Sequence, residues 1–455
     1  MRTAAVVICM ALGSLAGCRA TPSQGGGLAG VAVHKVAPDL DRTLTRSLPK
    51  VGVWHQRHPA VAYGDGQYLL VWQNGYNGLG GDSDILGLRI GPTGAPLDPA
   101  PITICAAKGT QESPAVAFCR GRFLVAWSDL RNGTDHDVYA ALVDREGNAG
   151  TPFRLAGGTG GQAHPAVASD GKDTFLAVWQ DYRSGKYFEV YGARVSARSA
   201  DVLEKGGFRV MPRGARPAVA WTGKCFVVAQ RWYAATVRGD TAEMAADGKR
   251  LWNGKTVFLP DITAAWGKGF VFFNVCPRHD PWGWGGNGAI IGCTVLPDGT
   301  SPEWDSAPAR RKLSAFKADG KIANCLDAAR WKGHPGWPMG RPGGFKTTEE
   351  GTWPSGHVAA AFNGRSLVVV WPRTHIVDKQ RVRNRDLYVR RVLDDWAYRD
   401  KAKIELVAGP TEEAFPVLAA GKKGHTLLAY EKVRPDGGVA VEYCVLFDGV
   451  GIGPP

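Results

Sequence analysis

Helix signals are nearly absent from this 455-residue chain, and what remains is the pattern of an all-β protein. No Cys-x-x-Cys pair occurs, so a zinc ribbon is excluded, and neither a metal nor a cofactor is expected. No stretch beyond the first 18 residues could cross a membrane as a helix. The formal charge is +13, yet it comes with no Lys/Arg block and no nucleic-acid motif. Anionic partners other than nucleic acid, such as acidic glycans or lipid head groups, suit that balance better.

Turn formers are plentiful: 60 glycines and 29 prolines. That is what many tight turns demand. They punctuate a unit seen first in Pro59-Ala60-Val61-Ala62, a Gly64-Asp65-Gly66 turn, and Tyr68-Leu69-Leu70-Val71-Trp72. Near copies begin at Pro114 and Pro165, and a fourth at Pro217 lacks the Trp. The copy at Ile262 keeps only the spacing, that at Val358 restores the pattern, and the seventh begins at Pro416. A unit of short apolar runs and glycine turns, repeated about every 45 to 60 residues, is the signature of a propeller.

Each unit reads as four strands. Strand A is the small-residue run, and strand B, ending in an aromatic, is joined to it by a hairpin turn. Strand C follows, for example Asp137 to Val143, and a short strand D, for example Phe153 to Leu155. Innermost strands converge on one axis, where alanine fits and bulky residues collide. Trp72, Trp127, Trp179 and Trp371 then fill the wider gaps between blades. Seven copies imply a seven-bladed β-propeller of four-stranded antiparallel blades. The last blade lacks a strand D before the chain ends, so an N-terminal strand, Val51 to Trp54, is expected to close the ring.

Residues 1–18 carry Arg2, an apolar run from Ala4 to Leu12, and the ending Leu15-Ala16-Gly17-Cys18. This is the form of a secretory signal. Its last four residues resemble the lipobox of bacterial lipoproteins, in which the Cys is lipidated and becomes the first residue. The resemblance implies an exported protein anchored to the cell envelope through Cys18. Residues 19–48, with Gly25-Gly26-Gly27 and scattered charge, read as a flexible tether. Residues 49–455 read as one propeller domain with a long loop at about 317–355. Trp331, Trp337 and Trp353 argue that this loop is ordered.

Of nine cysteines, seven lie beyond Cys18. Export permits disulfides. Cys276 with Cys293 is the best pair, since strands B and C of the fifth blade would set them opposite each other; Cys105 with Cys119 is a weaker one.

In a propeller the D-to-A and B-to-C connections emerge on one face. The residues before each strand A, namely His58, Ser113, His164, Arg216, Asp261, His357 and Phe415, therefore ring one mouth of the central channel. The B-to-C loops add His279 and His375, and the long loop brings Trp337 and Trp353 toward the same face. The recurring Asp129/Arg131 and Asp181/Arg183 pairs read instead as braces of their own hairpins. Residues that do not repeat are better candidates for ligand contact.

The repeats resemble those of secreted bacterial propeller lipoproteins of mostly unassigned function, over about residues 51 to 450. The resemblance implies fold and export, and it brings no catalytic residue. A more distant likeness is to sialidases, whose Ser-x-Asp-x-Gly-x-x-Trp box is absent here; Asp298-Gly299 with Trp304 only approximates it. Some polysaccharide lyases also use seven-bladed propellers with His, Tyr and Arg at the mouth. Two functions fit: a binding or scaffold module for an acidic glycan or a protein partner, and an enzyme on acidic polysaccharide. In the enzyme, arginine would neutralise a uronate carboxylate while His or Tyr took the α proton. Glycoside hydrolysis would need two carboxylates across the mouth, for which Asp261, Glu112 and Glu413 are the candidates.

Overall fold

Seven antiparallel sheets form the structure, one for each copy of the repeat. The computed structural model describes residues 32–50, 55–75, 82–230, 233–250, 260–275, 289–301, 357–376 and 383–449. The second blade shows the plan: Gln111–Cys119, Arg122–Asp129, Asp137–Asp144 and Phe153–Ala156 pair in chain order from the axis outward. The fifth has three strands among the described residues, Asp261–Ala265, Lys268–Val275 and Ala289–Val295. A fourth expected at Arg311 to Ser314 lies outside them.

Strand A turns into strand B through two residues with positive φ, such as Asp65 and Gly66 (48° and 81°) or Arg120 and Gly121 (49° and 75°). That is the backbone of a type I′ turn, whose twist matches the flanking strands. Alanine is needed on the inner strands for the reason the repeat suggests. Ala62, Ala117, Ala168, Ala220 and Ala360, from five blades, wall one cavity of about 410 Å³ on the axis. Larger side chains would fill it.

The tryptophans sit between blades. Trp72 shares a buried cluster with Leu427, Ala429 and Tyr443 of the seventh blade, and Trp179 one with Ala126 and Ala140 of the second. All four strand B tryptophans are at most 2% exposed. The core is thus a circle of blade-to-blade contacts and not one central mass.

Closure falls on residues that composition had assigned to the tether. Leu40–Thr43 pairs along the C-terminal strand Val439–Asp448, with Leu40 opposite Asp448 and Arg42 opposite Leu446. Arg46–Ser47 continues along the same strand, and Val33–Ala37 adds a further strand outside Leu40–Thr43. The segment reads as a tether because it buries little apolar surface of its own. Leu40, fully buried in a cluster between the sixth and seventh blades, and Leu48 are its apolar anchors. Val51 to Trp54 lies outside the described residues.

Cys105 and Cys119 are free thiols, which corrects the weaker disulfide pairing. Cys105 ends an outer strand at the face where Gln111 begins the next inner strand, and Cys119 ends that inner strand. At roughly 3.3 Å per residue the run from Gln111 to Cys119 carries the second thiol about 26 Å to the other face. A disulfide cannot span it. Cys276, and with it the preferred pairing to Cys293, lies outside the described residues.

Candidate functional site

Four of the residues that ring the mouth, His58, Ser113, His164 and Phe415, stand inside strand A, at a bulge. In the first blade Arg57 pairs with Gln73 and Ala60 with Val71, so the inner strand holds one residue more than its partner. The same slip occurs at Glu112/Ala115, Ala163/Ala166 and Ala414/Val417. The extra residue adopts positive φ: 48° at His58, 52° at Ser113, 51° at His164 and 49° at Phe415; Arg216, two residues before its strand, has the same conformation (48°). A side chain at a left-handed bulge is re-aimed out of the strand's alternation, which turns these residues toward the axis. Non-glycine residues rarely hold such a φ unless their surroundings fix it.

What fixes it comes from the preceding blade. The His58 N–H donates to Glu431 Oε1 (2.8 Å), the His164 N–H to Ser128 Oγ (2.9 Å) and the Arg216 N–H to Gln180 Oε1 (3.2 Å). Glu431, Ser128 and Gln180 each follow the aromatic that ends the apolar run of strand B. One residue of the repeat therefore packs the blades, and the next holds the neighbour's mouth residue in place.

His357 and Phe415 meet with ring centroids 4.6 Å apart, and His58 meets the same phenylalanine edge-on at 6.0 Å. Gln73 donates through Nε2 to Ser83 Oγ (3.3 Å), so its Oε1 accepts from His58 Nδ1–H (2.8 Å). On one side of the ring Glu112 Oε1 lies 3.2 Å from His136 Nε2. This hydrogen bond holds Glu112 below the usual carboxylate range and His136 above the usual imidazole range.

Arg216 faces the channel differently. Among the described residues its guanidinium has neither a hydrogen bond nor an ion pair; the residue is solvent-exposed, although its surroundings take enough water from the guanidinium to hold it below the usual arginine range, with Glu112 acting the other way. Burial, helped by that guanidinium, lowers His164 to about 4 and His357 to about 3. Both imidazoles are neutral at physiological pH while the arginine is charged. Asp261 is pushed up to about 7 by burial, and its Oδ2 accepts from the Ala360 N–H of the next blade at 2.6 Å.

The structure thus gathers His58, His164, Arg216 and His357 within electrostatic reach of one another, and sets Asp261 on the adjoining inner strand. His375 is placed elsewhere: it pairs with Asn384 toward the tip of the sixth blade's B-to-C hairpin. His279, Trp337 and Trp353 lie outside the described residues. No hydrogen bond joins the mouth imidazoles to one another or to Arg216 among the described residues, and there no group of three or more His, Cys, Asp or Glu is arranged to hold a metal ion. His136 is a member that sequence reasoning missed. It stands at the end of a B-to-C loop, one residue before strand C, whereas attention to those loops fell on their first residues.

The expected braces are in place. Asp129 accepts from Trp127 Nε1 (2.7 Å) and twice from the Arg131 guanidinium (2.9 and 2.6 Å), which also lies 3.9 Å over the Tyr139 ring. Asp181, Trp179, Arg183 and Tyr191 repeat the arrangement.

Glu413, the remaining candidate carboxylate, is fully buried. It occupies the place that Gln56, Gln111 and Gln162 hold at the start of other inner strands, where the amide donates to backbone carbonyls such as Pro49 O (2.9 Å) and Gly109 O (3.1 Å). Neither Glu413 oxygen has a hydrogen-bond partner, and Lys432 Nζ stands off at 3.7 Å, shared with Glu442. Burial outweighs that shared ammonium and raises Glu413 to about 7. A group whose folded pKa is raised stabilises fully below its unfolded value, and that contribution is lost as pH rises through the folded one. Glu413→Gln should therefore change the melting temperature little at pH 5 and raise it at pH 8. Thermal melts of both proteins across pH 5 to 8 check this; an equal shift at both ends would contradict it.

No family model and no curated protein matches the chain. Among solved structures, a protein of unknown function from Dyadobacter fermentans is similar over 90% of this chain and 100% of its own, with TM-score 0.49 and 12% identity. Trypanosoma rangeli sialidase aligns over 86% of this chain and 55% of its own (TM-score 0.44, 8% identity). A GH43_1 enzyme from Xanthomonas citri complexed with xylose aligns over 56% and 92% (TM-score 0.37, 16% identity). The sialidase and the GH43 enzyme are β-propeller proteins, similar to this chain at low identity only.

Proposed function

We propose that this protein is a binding module whose channel mouth takes an anionic group of an acidic glycan. One observation carries the reading: Arg216 presents a guanidinium that has no hydrogen-bond or ion-pair partner among the described residues to a mouth lined by the neutral imidazoles of His164 and His357 and by Phe415. A guanidinium offers two parallel donors to a carboxylate, and an aromatic face suits the C–H groups of a sugar ring. The mouth groups stand as a ring of separate contacts, with Glu112 already committed to His136. Such an arrangement holds a ligand more readily than it moves a proton.

Polygalacturonate titrated by calorimetry tests the reading. Arg216→Ala should weaken binding about tenfold or more, given roughly 1.5–3 kcal/mol for a charge-assisted contact. The parent's affinity should fall as salt rises. Failure of the parent protein to bind, or undiminished binding by Arg216→Ala, would overturn it.

We also propose that the module is held at the bacterial envelope by a lipid on Cys18. A Cys18→Ala protein should lose labelling by a fatty-acid analogue and leave the membrane fraction, and retained labelling would refute the anchor.

A further inference from the structure

Beside the mouth, between the third and fourth blades, two adjacent aromatics stand in solvent. Tyr187 is 40% and Phe188 42% exposed, in the loop between Thr174–Asp181 and Glu189–Ser196. That loop is fixed and not a loose tip. The Gly185 N–H donates to Tyr182 O (2.9 Å), and the Tyr182 ring packs against Phe188 with centroids 5.0 Å apart. Burying aromatics is favourable, so holding two of them out in an ordered loop runs against what a surface ordinarily does.

The aromatic loop is joined to the strand that carries Arg216. The Gly214 N–H donates to Phe188 O (2.9 Å), and Gln230 Nε2 donates to Arg213 O (3.1 Å). These bonds hold the segment Arg213 to Arg216 against the aromatic loop. Arg213 places its guanidinium 4.9 Å from the Tyr187 ring centroid, and among the described residues it makes no ion pair. Three residues of chain separate Arg213 from Arg216, so their Cα atoms are at most about 11 Å apart. One flat ring with a cation over it therefore belongs to the same short stretch of rim as Arg216.

We infer that Tyr187, Phe188 and Arg213 form a second subsite for the same ligand, and that the ligand is an acidic oligosaccharide chain, not a single anionic sugar. Arg216 holds the carboxylate of one residue. A neighbouring ring stacks on Tyr187 and Phe188, with its own carboxylate toward Arg213. The arrangement favours a polymer with more than one acid, because neither guanidinium has an ion pair among the described residues and both belong to one stretch of rim. This inference rests on the mouth reading and extends it.

Galacturonate and tetragalacturonate, titrated into the full chain, separate the two. The parent protein should bind the tetramer at least tenfold more tightly than the monomer. A Tyr187→Ala/Phe188→Ala variant should lose that gain and keep the monomer affinity, and Tyr187→Trp with Phe188 intact should retain the gain. Arg216→Ala should weaken both ligands. A double variant that keeps the chain-length gain, or a parent that binds both ligands equally, overturns the subsite and leaves the mouth standing. A parent that binds neither removes the mouth reading and the subsite with it.

Discussion

Asp448→Ala should destabilise the protein by about 3–5 kcal/mol, the cost of breaking a buried ion pair from one side. Asp448 is fully buried at the end of the C-terminal strand, and four groups donate to its carboxylate. Arg391 Nη1 lies at 2.7 Å and Arg399 Nη1 at 3.0 Å on one oxygen; Asn363 Nδ2 at 3.1 Å and Ser366 Oγ at 2.5 Å are on the other. Arg391 is itself only 3% exposed, and it also donates to Asp39 O (2.8 Å), next to the strand that closes the ring. One carboxylate thus joins the sixth blade, the seventh blade and the N-terminal closure. Asp400, 2.5 Å from Arg391, would keep part of that charge compensated, which holds the cost within the range given. Asp448→Asn should cost nearly as much, because an amide cannot accept on both sides from four donors. Urea denaturation of the three proteins measures this. A midpoint unchanged in the alanine variant would mean that the seam does not depend on this residue.

The second large effect is expected at Asp129. Its replacement by alanine leaves the buried Trp127 N–H without an acceptor and removes two charge-assisted bonds from Arg131. Arg131 is 27% exposed and can turn to water, so the indole dominates. With roughly 1–3 kcal/mol for a stranded buried donor and about 1 more for the lost brace, the total is about 2–4 kcal/mol. The first blade bounds it from below. Among the described residues neither Trp72 Nε1 there nor Trp371 Nε1 of the sixth blade has a hydrogen-bond partner, so the ring accommodates that loss at two sites. Asp181→Ala should behave in the same way, and a double variant should show near-additive loss, since the two braces belong to different blades. Thermal melts would expose a sub-additive result, which would mean that the blades respond as one unit.

Repetition made the fold legible. Ala62, Trp72 and their counterparts recur because every blade meets the same two constraints, a crowded axis and a gap beside it. The braces were legible for the same reason: Trp127, Asp129 and Arg131 recur at Trp179, Asp181 and Arg183. The closure was not, since Leu40–Thr43 earns its place by pairing with a strand some 400 residues away, and nothing in its own polar composition announces a partner. The mouth was half legible. Counting from the prolines placed His58, His164 and Arg216 on one face, but the bulge that turns His58 and His164 is a register slip, visible only when both strands are seen. The supports Ser128, Gln180 and Glu431 differ in type from blade to blade, so repeat reading passes over them. The buried state of Asp261 and Glu413 depends on neighbouring blades and is likewise absent from local sequence.

The measurement that tests the mouth most directly is a histidine-selective NMR titration of the full chain with tetragalacturonate at neutral pH. Imidazole resonances of His58, His164 and His357 should move together and saturate with one affinity. Those of His34, on the outer strand of the closure, and His425, at the start of the seventh blade's strand B, should stay still. Shifts confined to His34 and His425, or no shift at the three mouth histidines when the ligand is in excess, would contradict a glycan site at the channel mouth.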